Sequence, residues 1–165
     1  MLIATVKSAA PECRWIVPSG LALFVLGFFG RVWASGFLVK NDALTTVGPY
    51  GYVRNPIYVS NMLLGLGIVF LNGRYWTLAI LIAVYAVCYV PGMRVESENL
   101  RRRYGSAFDS YEAAVPLIVP RCRLAPGFGG GCWTIQAYIG NREIWVTIGL
   151  LIGLGVIVFK RIISP

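Results

Sequence analysis

The sequence predicts an all-α, multi-pass transmembrane helix bundle of about four spans, forming a single membrane domain over residues 1–165. Three observations predict it. First, 57% of the residues are hydrophobic and only 13% are charged, where a soluble domain carries about a quarter charged residues. Second, the mean hydropathy is +0.67. Third, four apolar runs, at about 14–38, 57–71, 76–90 and 144–159, are separated by polar connections. The net charge of +8 invites a nucleic-acid reading. A membrane protein explains it better, because cytoplasmic loops collect Lys and Arg, so no nucleic-acid partner is expected. The chain has no histidine, which removes the commonest general base and the commonest metal ligand. Its four cysteines show no CxxC spacing, so no zinc or redox centre is expected.

Taken in order, residues 1–13 are mixed and are expected at the surface. The first run tolerates Pro18 in its opening turn and is interrupted by Arg31, which is expected to snorkel to the interface. After a polar connection comes an elbow, Gly48 to Tyr58, reading GPYGYVRNPIY. Its prolines fix φ and push the preceding residues out of the helical region. The second and third runs form an antiparallel hairpin about the turn Asn72-Gly73-Arg74-Tyr75. Both fall short of the ~20 residues needed to span hydrocarbon, a shortfall that flanking aromatics and bilayer thinning can cover. Gly65 and Gly67 permit close helix contact.

Pro91-Gly92 is expected to end the third span. Beyond it, Glu96, Leu100 and Tyr104 recur at i, i+4 and i+8 and share one helix face, with Phe108 and Tyr111 extending the stripe if the helix survives Gly105. Glu98 and Arg102 form a favourable i, i+4 pair on the other side. Glu96 is the odd residue, a carboxylate on an apolar face that needs a basic or cationic partner. A Cys122–Cys132 disulfide fits the spacing, but a cytoplasmic, reduced location is expected. Gly127 to Gly131 lacks the lysine of a phosphate-binding loop. Nine basic residues lie in the elbow loop and the 91–142 loop, and five on the opposite side. The segments 40–56 and 91–142 are therefore expected together on the cytoplasmic face.

Two separated motifs carry a family resemblance. Gly48-Pro49-Tyr50 followed by Arg54-Asn55-Pro56-Ile57-Tyr58 matches the pattern GPY…R(H/N)PxY. Glu96, Leu100, Tyr104-Gly105, Phe108, Tyr111, Val115-Pro116 and Pro120 follow the pattern EExxL…FGxxYxxY…VPRxxP, with a helical hairpin between the two. Over residues 31–121 the chain resembles the isoprenylcysteine carboxyl methyltransferase and phospholipid methyltransferase family of integral membrane enzymes. It departs from that pattern at Ser97, Phe108 and Leu117.

The resemblance implies that the two cytoplasmic segments bind S-adenosylmethionine. Its cofactor-binding residues would be Gly48, Pro49, Tyr50, Arg54, Asn55, Pro56, Tyr58, Glu96, Leu100 and Tyr111, with Arg54 and Glu96 as the catalytic pair. In physical terms, Glu96 offers an anion to the donor's amino or sulfonium charge, and Arg54 a fork for its carboxylate. Tyr50, Tyr58 and Tyr111 offer faces for stacking and cation–π contact. The implied acceptor is lipophilic, either an isoprenylcysteine-type carboxylate or a phospholipid amine. The implied location is the bacterial inner membrane, in contact with membrane lipids, with the active site on the cytoplasmic face. Two other readings stand beside this one: an NADPH-dependent reductase of the sterol and steroid type, with Arg101 to Arg103 holding phosphate, and a non-catalytic membrane protein. Nothing in the sequence specifies an oligomeric state.

Overall fold

A computed structural model describes residues 15–39, 43–73 and 76–163, apart from the side chains of residues 160–162. The expectation for residues 1–13, and half of the turn at 72–75, lie outside the described residues. Six helices make up the described chain, and no strand occurs among the described residues. They are α1 (Ile16–Ser35), α2 (Pro56–Asn72), α3 (Trp76–Tyr104), α4 (Ser106–Ala114), α5 (Ile135–Gly140) and α6 (Glu143–Ile163). Two of them, α1 and α3, are long and apolar enough to cross a membrane, while Pro56–Asn72 and Glu143–Phe159 are shorter apolar helices.

The tightest pairing is α1 against α2, and glycines make it. A methyl group on Gly67 would lie 2.7 Å from the Phe24 amide nitrogen and 2.8 Å from the Gly20 carbonyl oxygen. One on Gly27 would lie 2.7 Å from both the Leu64 amide nitrogen and the Ser60 carbonyl oxygen. Small residues let the backbones approach where lipid offers no hydrophobic driving force. Gly65 faces the Leu81 side chain of α3 instead, so the two glycines of the second apolar run serve two different neighbours. At the end of α2, Gly73 adopts φ +65°, a left-handed cap that glycine accepts without strain.

The helix does not end at Pro91-Gly92, where the sequence led us to expect a stop. The helix runs 29 residues from Trp76 to Tyr104, with a π turn at Tyr85–Tyr89 just before the proline. Proline lacks an N–H and crowds the preceding turn. The wider turn, closed by the Val90 N–H donating to the Tyr85 carbonyl, places Pro91 in the first turn of a fresh α-helical segment. A missing donor is tolerated there. The polar face carrying Glu96, Leu100 and Tyr104 is therefore a rigid extension of an apolar helix.

Gly105 does break the helix, at φ +53° and ψ −128°, a conformation open to glycine. The stripe is continued by folding rather than by periodicity. α4 turns back so that Phe108 and Tyr111 are buried with Val115 and Ala125, and Leu44, Leu100, Tyr104 and Phe128 pack around them. The stretch after α4 then lies along the elbow, which contains a 3₁₀ turn at Gly48–Gly51. The Arg54 N–H donates to Pro116 O at 2.8 Å, Arg121 N–H to Tyr52 O at 3.1 Å, Ala125 N–H to Gly51 O at 3.1 Å, and Gly48 N–H to Gly130 O at 2.9 Å. These bonds satisfy backbone groups that the prolines and the turn leave without helical partners, and they join two segments far apart in sequence.

Candidate functional site

A cavity of about 580 Å³ opens between the elbow and the polar half of α3, with α4 at its base. Tyr50, Arg54, Asn55 and Tyr58 line it from the elbow and the start of α2, Glu96 and Leu100 from α3, and Tyr111 from α4. Three other residues picked out in the sequence lie elsewhere. Gly48, at φ +58°, has the Phe37 ring packed where a Cβ would project, so its contribution is the turn itself. Pro49 is buried on the elbow's opposite face, beside Trp33 and Tyr52. Pro56 lines a smaller adjoining cavity of about 260 Å³.

Glu96 projects from α3 into the larger cavity and accepts a hydrogen bond from the Tyr58 hydroxyl at 3.2 Å. The expectation of an apolar setting is corrected: Glu96 is exposed, so its charge does not require a partner, and among the described residues no basic side chain pairs with it. Tyr58 is itself held in place. Its ring meets Tyr89 edge-on at 5.4 Å, Tyr89 stacks on Tyr85 at 4.5 Å, and the Tyr85 hydroxyl donates to the Tyr58 carbonyl at 2.7 Å. The π turn thus orients the tyrosines that orient Tyr58. Glu98 points away and pairs with Arg102, as the helix phase requires.

The Arg54 guanidinium pairs with Glu112, which also takes Arg101. The Arg54 Nε is buried without a hydrogen-bond partner among the described residues, an unsatisfied donor that costs stability. Asn55 is pinned by its Nδ2 donating to Leu117 O at 3.2 Å. Tyr111 is pinned by its hydroxyl donating to Tyr50 O at 2.8 Å. Burial pushes the Tyr50 phenol up, and the charges of Glu96 and Glu143 add to this, with Tyr111 between them in importance. Burial likewise raises Tyr111. Both phenols are therefore neutral donors and aromatic walls rather than bases. For Glu112, burial would raise the carboxyl. The hydrogen bond and charge of Arg54, with those of Arg101, outweigh it and hold the group below the usual carboxylate range.

Two of the departures from the motif, Phe108 and Leu117, acquire reasons here, and nothing in the structure explains Ser97. Phe108 is buried beneath the Arg101 guanidinium, 5.6 Å from the ring centroid, where a phenol hydroxyl would need a partner. At position 117 the backbone carbonyl makes the contact that matters, to Asn55. The expectation for Arg31 is corrected. It does not snorkel; its Nε and Nη2 donate to Glu143 at 2.8 and 2.9 Å, and its Nη1 donates to Asn61. The Arg31 and Glu143 side chains are 15% and 8% exposed, so the charge is balanced inside the bundle. Neither Glu112 nor Glu143 stands out in the sequence. A lone cation in one apolar run and a lone anion at the mouth of another were the available signal for the second. Cys88, Cys122 and Cys132 are free thiols. No group of three or more His, Cys, Asp or Glu among the described residues is placed to hold a metal.

Comparison with known proteins bears on what such a cavity serves. The family model described as phospholipid methyltransferase matches residues 16–107, from the start of α1 to just past the Gly105 break. The cobalt-zinc-cadmium resistance protein CzcN of Cupriavidus metallidurans is 31% identical over 150 residues, covering 87% of this chain and 68% of that protein. The nickel-cobalt-cadmium resistance protein NccN of Alcaligenes xylosoxydans is 31% identical over 116 residues, covering 67% of this chain and 54% of that protein. No solved structure matches the chain. With more than half of the sequence matched, including the elbow and the Glu96 helix, this chain belongs to the phospholipid methyltransferase family.

Proposed function

We propose that the protein is an integral membrane, S-adenosylmethionine-dependent methyltransferase acting on a lipophilic acceptor, an isoprenylcysteine-type carboxylate or a phospholipid amine. The observation that carries this reading is the convergence of an acidic side chain, Glu96, a basic one, Arg54, and the tyrosines Tyr50, Tyr58 and Tyr111 on one cavity. Glu96 offers a carboxylate that, among the described residues, takes only the Tyr58 hydroxyl, and Arg54 offers a guanidinium that Glu112 holds in place. A ligand bearing a sulfonium, an ammonium and a carboxylate matches both. When bound, S-adenosylmethionine supplies an electrophilic methyl group. Glu96 and Arg54 would hold its charged ends, and Tyr50, Tyr58 and Tyr111 would supply aromatic walls. The chain's work is then orientation and exclusion of water. A carboxylate acceptor is already ionised and needs no base, whereas an amine would pass its proton to Glu96.

The reading extends to topology. In this reading the shorter apolar helices α2 and α6 complete a four-span bundle in a bacterial inner membrane, and the basic-residue asymmetry favours a site on the cytoplasmic face. The relatives' names connect them with resistance to cobalt, zinc, cadmium and nickel. Modification of a membrane component is the link we favour for this chain, because its described residues offer carboxylates and phenols at the cavity rather than a ligand cluster. The NADPH reading draws on Arg101 to Arg103; Arg103 lines the larger cavity, and Arg101 and Arg102 border a second one. Both are already committed, to Asp109 and Glu112 and to Glu98. The test is transfer of labelled methyl groups from S-adenosylmethionine into an organic membrane extract by purified protein. Label in the lipid phase is expected, base-labile for an ester and base-stable for an N-methyl product. Label confined to water-soluble compounds would overturn the lipophilic acceptor.

A further inference from the structure

We infer that Glu143, reaching in from α6 and acting through Arg31, is a positioning residue for the methyl acceptor; this rests on the methyltransferase reading above. The cavity of about 260 Å³ that adjoins the larger one is walled by Arg31, Glu143, Tyr50, Arg54, Tyr58 and Glu96. Four of these, Tyr50, Arg54, Tyr58 and Glu96, also line the larger cavity, so the two spaces meet at those side chains. In-line displacement needs the acceptor and the departing sulfur on opposite sides of the methyl group, and two contiguous cavities provide that arrangement. If the donor's charged ends engage Glu96 and Arg54 from the larger space, the space floored by the Arg31–Glu143 pair is left for the acceptor's polar group.

A purely structural role explains the pair poorly. Burying two charges is seldom more stabilising than apolar packing, and an ionisable residue inside a membrane helix marks a functional site by default. The junction it would fasten is already fastened. Asn141 Nδ2 donates to Ser35 O and Leu38 O at 3.1 and 2.8 Å, Trp133 Nε1 donates to Val32 O at 3.1 Å, and Thr134 N–H donates to Gly36 O at 2.9 Å. The ion pair is instead wired to the site. Arg31 donates to Asn61, whose Nδ2 donates to the Tyr89 hydroxyl at 3.4 Å, and Tyr89 packs against the Tyr58 that donates to Glu96. Every Arg31 nitrogen faces a partner, so the guanidinium is held as part of the cavity wall and Glu143 sets where it sits. α6 lies beyond the matched residues 16–107, so this arm of the site is supplied by the chain's own C-terminal part.

The test compares wild type, Glu143→Gln and the double variant Arg31→Gln/Glu143→Gln as full-length proteins in detergent. It measures S-adenosylmethionine Kd, melting temperature, and apparent KM for the acceptor, titrated as organic membrane extract. Expected is a donor Kd within about twofold of wild type in both variants and an acceptor KM raised about tenfold or more. The double variant leaves no buried charge unpaired, so its melting temperature returns toward wild type while its KM stays raised. A donor Kd that worsens as much as the acceptor KM, an unchanged KM, or a KM that recovers together with the melting temperature overturns the inference. Wild-type protein that transfers no label overturns the methyltransferase reading itself, and the inference with it.

Discussion

Replacing Glu112 with Gln keeps the side chain's shape and removes the charge that Arg54 and Arg101 share. The Arg54, Glu112 and Arg101 side chains are 12%, 31% and 49% exposed. Breaking a fully buried pair costs about 3–5 kcal/mol, and an exposed one about 0–1 kcal/mol. The Arg54 arm lies between these limits and the Arg101 arm near the weaker one, so about 1.5–2.5 kcal/mol is expected near neutral pH. The sign of the pH dependence follows from the depressed carboxyl. A group whose folded pKa is lowered contributes stability above its unfolded value, roughly pH 4.3 for Glu, and loses it as the pH falls through the folded value. Wild type and Glu112→Gln should therefore differ most near neutral pH and converge in acid. Thermal melts of both proteins in one detergent, from neutral pH downward, make the measurement. A gap that does not narrow in acid, or no gap at neutral pH, would refute the bridging role of Glu112.

Glu96→Gln should weaken S-adenosylmethionine binding by about 1.5–3 kcal/mol, roughly ten- to more than a hundredfold. Glu98→Gln should stay within about 0.5 kcal/mol; calorimetric titration separates them, and equal effects would contradict the helix phase. Gly67→Val should abolish or severely destabilise the folded protein, since even a methyl group there meets the Phe24 backbone at 2.7 Å; an unchanged melting temperature would count against the α1–α2 contact. Reporter fusions after Gly73 and after Gly129 should report opposite sides of the membrane, the second one cytoplasmic; equal signals would remove the four-span topology.

The sequence was most informative where chemistry and periodicity coincided. The i, i+4, i+8 spacing of Glu96, Leu100 and Tyr104 put the carboxylate and its neighbours on one face, and the structure has Glu96 and Leu100 on the wall of one cavity with Tyr50, Tyr58 and Tyr111. It was least informative where the outcome depended on contacts between distant segments. Pro91 reads locally as a stop, and only the π turn upstream of it allows the helix to continue. Arg31 reads as a snorkelling side chain because its partner Glu143 is 112 residues away, and no local pattern links them. Glu112 passes unnoticed because its role requires α4 to fold back after Gly105, bringing it to Arg54. The elbow's irregular turn was legible from its prolines and glycines. Its pairing with the 114–131 stretch was not, since backbone hydrogen bonds between irregular segments leave no periodic trace.

The central claim is that the cavity between the elbow and the polar half of α3 holds S-adenosylmethionine. Equilibrium binding to purified protein, with S-adenosylmethionine and NADPH titrated side by side, tests it most directly. The account predicts saturable binding of S-adenosylmethionine, weakened by Glu96→Gln, and no comparable binding of NADPH. Saturable NADPH binding with none of S-adenosylmethionine, or S-adenosylmethionine binding indifferent to Glu96→Gln, would contradict it.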